Sequence, residues 1–325
     1  MRTITAFRRI LKTFSYFLLL AATLGVSGCS VNPVTGEREL SLLSIAEQIA
    51  IGEEQYFASR QMQGGDFVVD PELAAYVASV GNELAHESDL ALPYEFVVLN
   101  NSVPNAWALP GGKIGVNRGL LLELDSEAEL AAVLGHEIVH AAAGHGAQAM
   151  QRGMILQGVL LATSVAAQSS EYSGLAIGAA GIGAQLLNQR YSRNAELEAD
   201  GYGLVYLAAA GYDPQAVITL QETFVRLSEG KSAGWLAGLF ASHPPSQERV
   251  DRNRSTAASI PPGGVLERER FLAATSTLRN NQPAYAAYDE GRTALAENRI
   301  TDAAQLAAQA VDLVPQEALF HALQG

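Results

Sequence analysis

The chain has 325 residues and a formal net charge of −13, from 34 acidic and 21 basic side chains. That surplus of negative charge repels nucleic acid and anionic lipid, so neither is an expected partner through charge. A single cysteine excludes an intrachain disulfide framework, and the length is enough for one large core with an appendage.

Arg2, Arg8, Arg9 and Lys12 precede an apolar run from Phe14 to Val26 that ends in Ser27-Gly28-Cys29. The run is too short to span a bilayer and ends in small residues, which predicts a secretory signal peptide over 1–28. Val26-Ser27-Gly28-Cys29 is similar to a bacterial lipobox, with Cys29 as the lipidated mature N-terminus. Ser30 after it resembles the outer-membrane sorting signal, so the expected location is the periplasm, lipid-anchored to the outer membrane. Cleavage removes four basic residues and no acids, leaving 17 basic against 34 acidic. Attachment to the membrane then rests on the acyl groups.

The mature chain reads as mostly helical. Ser44-Ile45-Ala46-Glu47 is a capping box for a helix to about Arg60, and Pro71 opens another to about His86. Phe96–Leu99 reads as a strand. Ala106–Leu109 and Ile114–Val116 flank Pro110-Gly111-Gly112 as a hairpin.

His136-Glu137-Ile138-Val139-His140 follows a capped helix start at Ser126-Glu127-Ala128-Glu129, and Gly144 ends the helix. At about 100° per residue the two imidazoles share a face, the H-E-x-x-H arrangement that holds a zinc ion. Glu137 sits beside that ion as a general base for water. An ordinary amphipathic helix carrying two His by chance is the bland alternative, but two His and a Glu in an apolar helix need partners. His145 is rejected as a third ligand: the metzincin pattern is absent, and five residues past His140 the side chain is expected to face away.

Met154–Gln185 carries one charge, Glu171, in two short apolar runs. The reading is a Gly-rich helical hairpin near the metal site, with a membrane-dipping hairpin as the alternative. Beyond it, Glu196 and Asp200 share a helix face four residues apart. Glu196 is the best candidate third ligand, and Asp200 the acceptor for the outer N–H of a ligand His; a solvated acidic turn is the alternative, and Glu198 fits that alternative. A helix follows Pro214.

Leu134-Gly135-His136-Glu137-x-x-His140 and Glu196-x-x-Ala199-Asp200 resemble the zinc endopeptidases related to the CaaX prenyl protease and the heat-shock protease HtpX. Asn32-Pro33-Val34-Thr35-Gly36, Asn105-Ala106-Trp107-Ala108-Leu109-Pro110-Gly111-Gly112 and Ser242-His243-Pro244-Pro245-x-x-x-Arg249 extend the resemblance over roughly residues 30 to 260. The likeness is to the periplasmic branch, with its lipoprotein and β-barrel assembly-enhancing proteases. It implies a gluzincin-like α+β metallopeptidase domain over 29–275, one Zn2+ per chain, and ligands His136, His140 and Glu196. It also brings His243 and Arg249 to the active site. His243 would donate to the oxyanion or close the site as a fourth ligand; Arg249 would orient substrate or pair with Asp200. In such a peptidase an edge strand receives substrate, which makes Asn105, Ala106, Trp107 and Ala108 candidate substrate-binding residues, with a plain core hairpin as the alternative.

Ser276–Pro283 reads as a linker. Gly291, Ala303, Ala310 and Pro315 then occupy the offsets of a tetratricopeptide repeat over 284–325, although Ala287, Ala294 and Ala307 stand at its large positions. A helical hairpin of alternating Ala and Leu is the alternative. The combined expectation is an envelope endopeptidase for misfolded or stalled proteins, with outer-membrane assembly machinery as partner of the repeat. The rival is a chaperone or assembly adaptor with a latent or structural zinc site.

Overall fold

The computed structural model describes residues 29–166, 190–230 and 242–325. The signal peptide of 1–28, the side chain of Cys29, and residues 167–185 of the expected apolar hairpin lie outside the described residues. In chain order the elements are β1 (Cys29–Val31), β2 (Arg38–Leu40), α1 (Ile45–Met62), α2 (Pro71–Ala85), β3 (Glu95–Leu99), β4 (Ala106–Leu109), β5 (Lys113–Asn117), α3 (Arg118–Leu121), α4 (Glu127–Ala142) and α5 (His145–Ala166). They continue as α6 (Arg193–Ala209), α7 (Gln215–Gly230), α8 (Gln247–Ala257), α9 (Arg268–Ala274), α10 (Ser276–Asn280), α11 (Gln282–Ala296), α12 (Ile300–Leu313) and α13 (Ala318–Gln324). The domain is mostly helical with small sheets.

Five helices begin the same way. Ser44, Asp70, Ser126, Ser192 and Ser246 each accept a hydrogen bond from a first-turn backbone N–H of α1, α2, α4, α6 and α8. Each such cap satisfies a donor that the helix cannot, worth about 1 kcal/mol. Three of them start the helices that carry the site, so the caps also set where those helices enter the core.

β3 runs parallel to β5, and β4 runs antiparallel to it, in the order β3-β5-β4. The two-residue period of β4 splits its side chains between two clusters. Ala106 and Ala108 face the main core, and Trp107 and Leu109 join Tyr56, Leu99 and Met150 on the other side. α4 runs through the middle of the main core, and every one of its residues is buried. A helix buried on all sides needs a polar purpose for each polar side chain it carries.

Asn32, in the turn after β1, ties the N-terminal hairpin to that helix. Its Oδ1 accepts from the Val34 and Thr35 amides, and its Nδ2 donates to the Ala143 carbonyl at 3.3 Å, beyond the end of α4. The first part of the expected hairpin at 154–185 is the continuation of α5. Among the described residues no helix is long and apolar enough to cross a membrane.

The expected linker at 276–283 is instead helical. Leu278 is fully buried, and Arg279 Nη2 donates to the Leu124 carbonyl at 2.8 Å. The segment looks polar in sequence, yet its Leu and its Arg are committed to the domain beside it. The helices that follow pack down as well. Arg118 is buried with its guanidinium 3.5 Å from the Tyr285 ring centroid, and it donates to Asn100 Oδ1 at 2.7 Å and Ser102 Oγ at 2.6 Å. Glu317 Oε2 accepts from Asn100 Nδ2 and from the Tyr285 hydroxyl. The stacking of Arg on an aromatic face makes this a contact that Lys could not reproduce.

Glu127, at the start of α4, joins three further parts of the chain. It accepts from the Tyr76 and Tyr212 hydroxyls, each at 2.6 Å, and pairs with Arg270. Burial alone would raise its pKa, but Arg270 and the two hydroxyls outweigh burial and hold it below the ordinary carboxylate value. A depressed folded pKa stabilises the fold above the unfolded value of 4.5 and loses that contribution as pH falls through the folded value. Glu127→Gln should therefore cost about 1–3 kcal/mol at neutral pH. Urea unfolding at pH 7 and at acid pH checks this: the gap to the parent narrows in acid, and a gap constant with pH would contradict the account.

Candidate metal centre

Two helices bring the donors together, and they touch through glycine. A Cβ on Gly203 of α6 would lie 3.0 Å from the His136 backbone N, and one on Gly135 of α4 would lie 3.1 Å from the Gly203 carbonyl oxygen. With no side chain between them, Glu196 and Asp200 on α6 reach the imidazoles of α4. Ala143 and Gly146 stand where the metzincin pattern has its glycine and its third histidine, and the further donor comes instead from the loop before α8.

His136, His140, Glu196 and His243 each offer a donor atom, all within 4.8 Å of one another. His136 Nε2 is 3.0 Å from His140 Nε2 and 3.2 Å from His243 Nδ1. Glu196 Oε1 lies 2.9 Å from His243 Nδ1 and 3.5 Å from His140 Nε2, and Oε2 lies 3.6 Å from His136 Nε2. Ligand nitrogens on a tetrahedral zinc stand about 3.3 Å apart. The cluster therefore has both the donor types and the spacing of a zinc site.

The protonation pattern agrees with that fit. His136 Nδ1 is 3.0 Å from Asp200 Oδ1. Burial works against the Asp200 charge, but Arg249 and His136 outweigh it and keep the pKa low. An ionised Asp200 only accepts, so the His136 proton is on Nδ1 and its Nε2 lone pair points into the cluster. Burial drives the His140 pKa well down, so this ring is a neutral ligand. Glu137 Oε2 and His243 Nε2 are buried without a hydrogen-bond partner among the described residues. Polar atoms orphaned in this way mark a place built for something besides the protein's own groups.

Glu137 is wholly enclosed, and burial raises its pKa against the pull of His243 and His136. Burial opposes charge on His243, yet Glu196 and Glu137 together carry its pKa above the ordinary value. Glu196 goes the other way: burial would raise it, and the surrounding imidazoles lower it far more. Carboxylates and imidazoles here hold one another's charge.

Arg249, expected at the active site as a catalytic residue, is 5% exposed and fully engaged. Nε and Nη2 donate to the two Asp200 oxygens at 2.7 Å each, Nη1 lies 2.9 Å from Glu196 Oε2, and Nη1 also donates to the Pro244 carbonyl. Of its two expected roles, the geometry is that of pairing with Asp200. An apolar recess lined by Val133, Leu204, Val217, Leu220 and Phe224 adjoins Glu137 and His136.

Asn105, Ala106, Trp107 and Ala108 meet a different fate from the one expected of a substrate-binding surface. β4 is an edge strand by topology, but all four side chains are buried and none lines the recess at the cluster. The Ala residues fill the core and Trp107 fills the second cluster.

His145 stays outside the donor group, but it does not face away as expected. It is 3% exposed, and its Nδ1 is 2.8 Å from His140 Nδ1. The rotation of 100° per residue does not carry past Ala142, because Gly144 adopts a left-handed φ of 68° and turns α5 back. Glu198, expected in solvent, has Oε1 3.3 Å from His145 Nε2. Sequence reasoning missed Tyr191, whose ring stacks on His140 with centroids 3.9 Å apart. A lone tyrosine near Glu196 carries no motif, so only its position reveals it.

These features are those of a zinc metallopeptidase, and the chain belongs to peptidase family M48, whose model matches residues 71–257. It is 29% identical to the β-barrel assembly-enhancing protease of Escherichia coli K12 over 312 residues, 91% of this chain and 61% of that protein. Metalloprotease YcaL of the same organism is 31% identical over 58% of this chain and 69% of its own length. The mitochondrial metalloendopeptidase OMA1 of Arabidopsis thaliana is 37% identical over 49% of this chain and 30% of its own. The chain thus spans about three fifths of the length of the β-barrel assembly-enhancing protease.

The purified protein should carry one zinc per chain by elemental analysis, and Glu196→Ala should lose most of it. Gly203→Ala should weaken zinc retention with every ligand intact, because the helices must part. Full occupancy in Gly203→Ala would show that the close approach is not needed.

Proposed function

We propose that the protein is a zinc-dependent endopeptidase, with His136, His140 and Glu196 holding the metal and Glu137 as general base. When bound, zinc supplies a Lewis acid that lowers the pKa of water to about 7 and polarises the scissile carbonyl. Glu137 takes the proton from the attacking water at its free carboxylate oxygen and later delivers it to the leaving amine. Burial lifts its proton affinity towards the range useful for that exchange. Asp200 fixes the tautomer of His136, and Arg249 fixes Asp200. The recess beside Glu137 is apolar, so the surroundings of the general base are water-poor.

His243 has two roles in this reading. With its Nδ1 among the donors the cluster has four protein ligands, and a catalytic zinc site needs an open position. The arrangement is therefore a resting one, and turnover requires His243 to leave. Once withdrawn, its imidazole is the donor for charge developing on the substrate carbonyl oxygen. We assign Asn105–Ala108 no side-chain contact with substrate; an extended peptide adding to β4 meets backbone groups alone, and only after whatever buries that edge has moved.

The signal segment and lipobox-like Cys29 support a lipid-anchored protein of the bacterial periplasm at the outer membrane. The Escherichia coli relative is named for β-barrel assembly, which supports β-barrel proteins of the envelope as substrates; that these are misfolded or stalled is part of the proposal. The α11–α12 hairpin, with Gly291, Ala303, Ala310 and Pro315 at repeat offsets, is read as a tetratricopeptide-like unit for docking assembly machinery. The chaperone or adaptor reading draws on the four-donor arrangement, which describes a latent site equally well.

One observation favours the enzyme: the buried, unpartnered Glu137 oxygen, which a structural zinc site does not need. Casein cleavage and zinc content of the parent and Glu137→Gln separate the two readings. The variant should keep its zinc and lose about 10²–10⁴-fold in rate. Equal cleavage by both proteins refutes the mechanism. Absence of cleavage by either, with binding of an unfolded barrel by both, supports the adaptor.

A further inference from the structure

The two imidazoles of α4 have different surroundings behind them. His136 Nδ1 faces a carboxylate directly, at 3.0 Å. Behind His140 stands a second imidazole: His145 Nδ1, 2.8 Å from His140 Nδ1. Behind that stands Glu198, with Oε1 3.3 Å from His145 Nε2. That oxygen is buried and makes no hydrogen bond among the described residues, and the His145 Nε2 nitrogen is the polar group that approaches it.

We propose that His145 and Glu198 are positioning residues that hold His140 as its Nδ1–H tautomer and so aim its Nε2 lone pair at the metal. The inference rests on the zinc reading of the site. The direction of each bond follows from the far end. A carboxylate accepts and cannot donate, so the His145 nitrogen facing Glu198 carries a hydrogen, and with a metal on His140 Nε2 the single hydrogen between the two rings is left to His140 Nδ1. His145 Nδ1 is then a lone pair and must accept, and the proton between the rings belongs to His140 Nδ1. His140 Nε2 is left as the lone pair, 3.0 Å from the equivalent nitrogen of His136. The tautomer of the ligand is thus set two residues away from it.

The need for an intervening ring is electrostatic. Glu137, Glu196 and Asp200 already lie buried in this cluster, each less than 5% exposed. A fourth carboxylate against His140 would add like charge where solvent cannot screen it. The His145 ring moves that charge outward to Glu198, whose side chain is 22% exposed. The turn at Gly144 makes this placement available, because it brings the first residue of α5 back over the end of α4. Tyr191, stacked on the face of His140, fixes the ring plane, which leaves the tautomer as the freedom that the relay removes.

The test compares zinc affinity, by chelator competition, with the melting temperature of the metal-free protein. The proteins are the parent, His145→Leu, His145→Asn and Glu198→Leu. His145→Leu removes the acceptor and should weaken zinc binding about 10–100-fold. His145→Asn places an amide oxygen near the position of Nδ1 and should recover most of that affinity. Glu198→Leu should weaken binding less than His145→Leu does. In the zinc-loaded parent, nitrogen NMR of the imidazoles should find the His140 proton on Nδ1. Zinc affinity unchanged in His145→Leu overturns the proposal. Equal weakening in His145→Leu and His145→Asn also overturns it, because it makes the effect one of packing. If His145→Leu does not fold, the half-buried Glu198 decides, and parental affinity in Glu198→Leu sinks the relay. A parent protein that binds no zinc removes the metal reading itself, and the relay with it.

Discussion

The contact between Gly135 and Gly203 is the constraint on which the centre depends. A carboxylate from one helix has to reach two imidazoles on another, and any side chain at the crossing would hold the backbones apart. Here a single Cβ would already press on the His136 amide or the Gly203 carbonyl. The crossing sits beside His136, so the helices are closest where the first ligand leaves α4. Asp200 lies one turn before Gly203 on α6, and Glu196 one turn before that. One close approach therefore positions both acids, with Asp200 behind the ring of His136 and Glu196 in front of it.

Closeness has an electrostatic consequence. Three carboxylates, Glu137, Glu196 and Asp200, are buried around a single guanidinium, Arg249. A buried charge without a partner is costly, and pairing all three with one cation leaves two negative charges over. A divalent cation has the charge to match. Protons are the other way to neutralise the surplus, which is why burial raises Glu137 and why the carboxylates raise His243. The same excess explains the guanidinium: Arg249 meets Asp200 with two parallel bonds and turns its third nitrogen to Glu196. A lysine would offer a point charge and could not span both acids.

Much of this is legible in the sequence because it is local. The caps at Ser44 and Ser126, the spacing of His136 and His140, and the four-residue step from Glu196 to Asp200 all follow from helix geometry, and the helices form where those rules put them. Two expectations fail by extending a local rule past its range. Rotation about a helix axis turns His145 away, but that axis stops at Ala142, and the turn at Gly144 reverses the answer. Polarity makes Ser276–Pro283 a linker, although Leu278 and Arg279 are spent on core and on distant carbonyls. The parallel pairing of β3 with β5 and the stacking of Tyr191 on His140 are beyond the reach of any local rule. The first skips over β4 to pair strands 18 residues apart, the second joins residues 51 apart, and no spacing encodes either.

The loop before α8 combines two requirements that pull against each other. In the proposed mechanism His243 has to be close enough to lie among the donors and free enough to leave them. Arg249 resolves this by anchoring α8 independently: its pair of bonds to Asp200 ties the helix start to α6 whatever His243 does. Ser246 caps the same helix, so the register between loop and helix is held from the helix side. Pro244 and Pro245 then fix two φ angles between the imidazole and the anchor. His243 lies on the far side of these two prolines from the anchor. On the proposed reading, a donor that left from such a fixed mount would spare Asp200, and with it the tautomer of His136. The proposed step from resting to working site would then remove one donor and leave His136, His140 and Glu196 where α4 and α6 hold them.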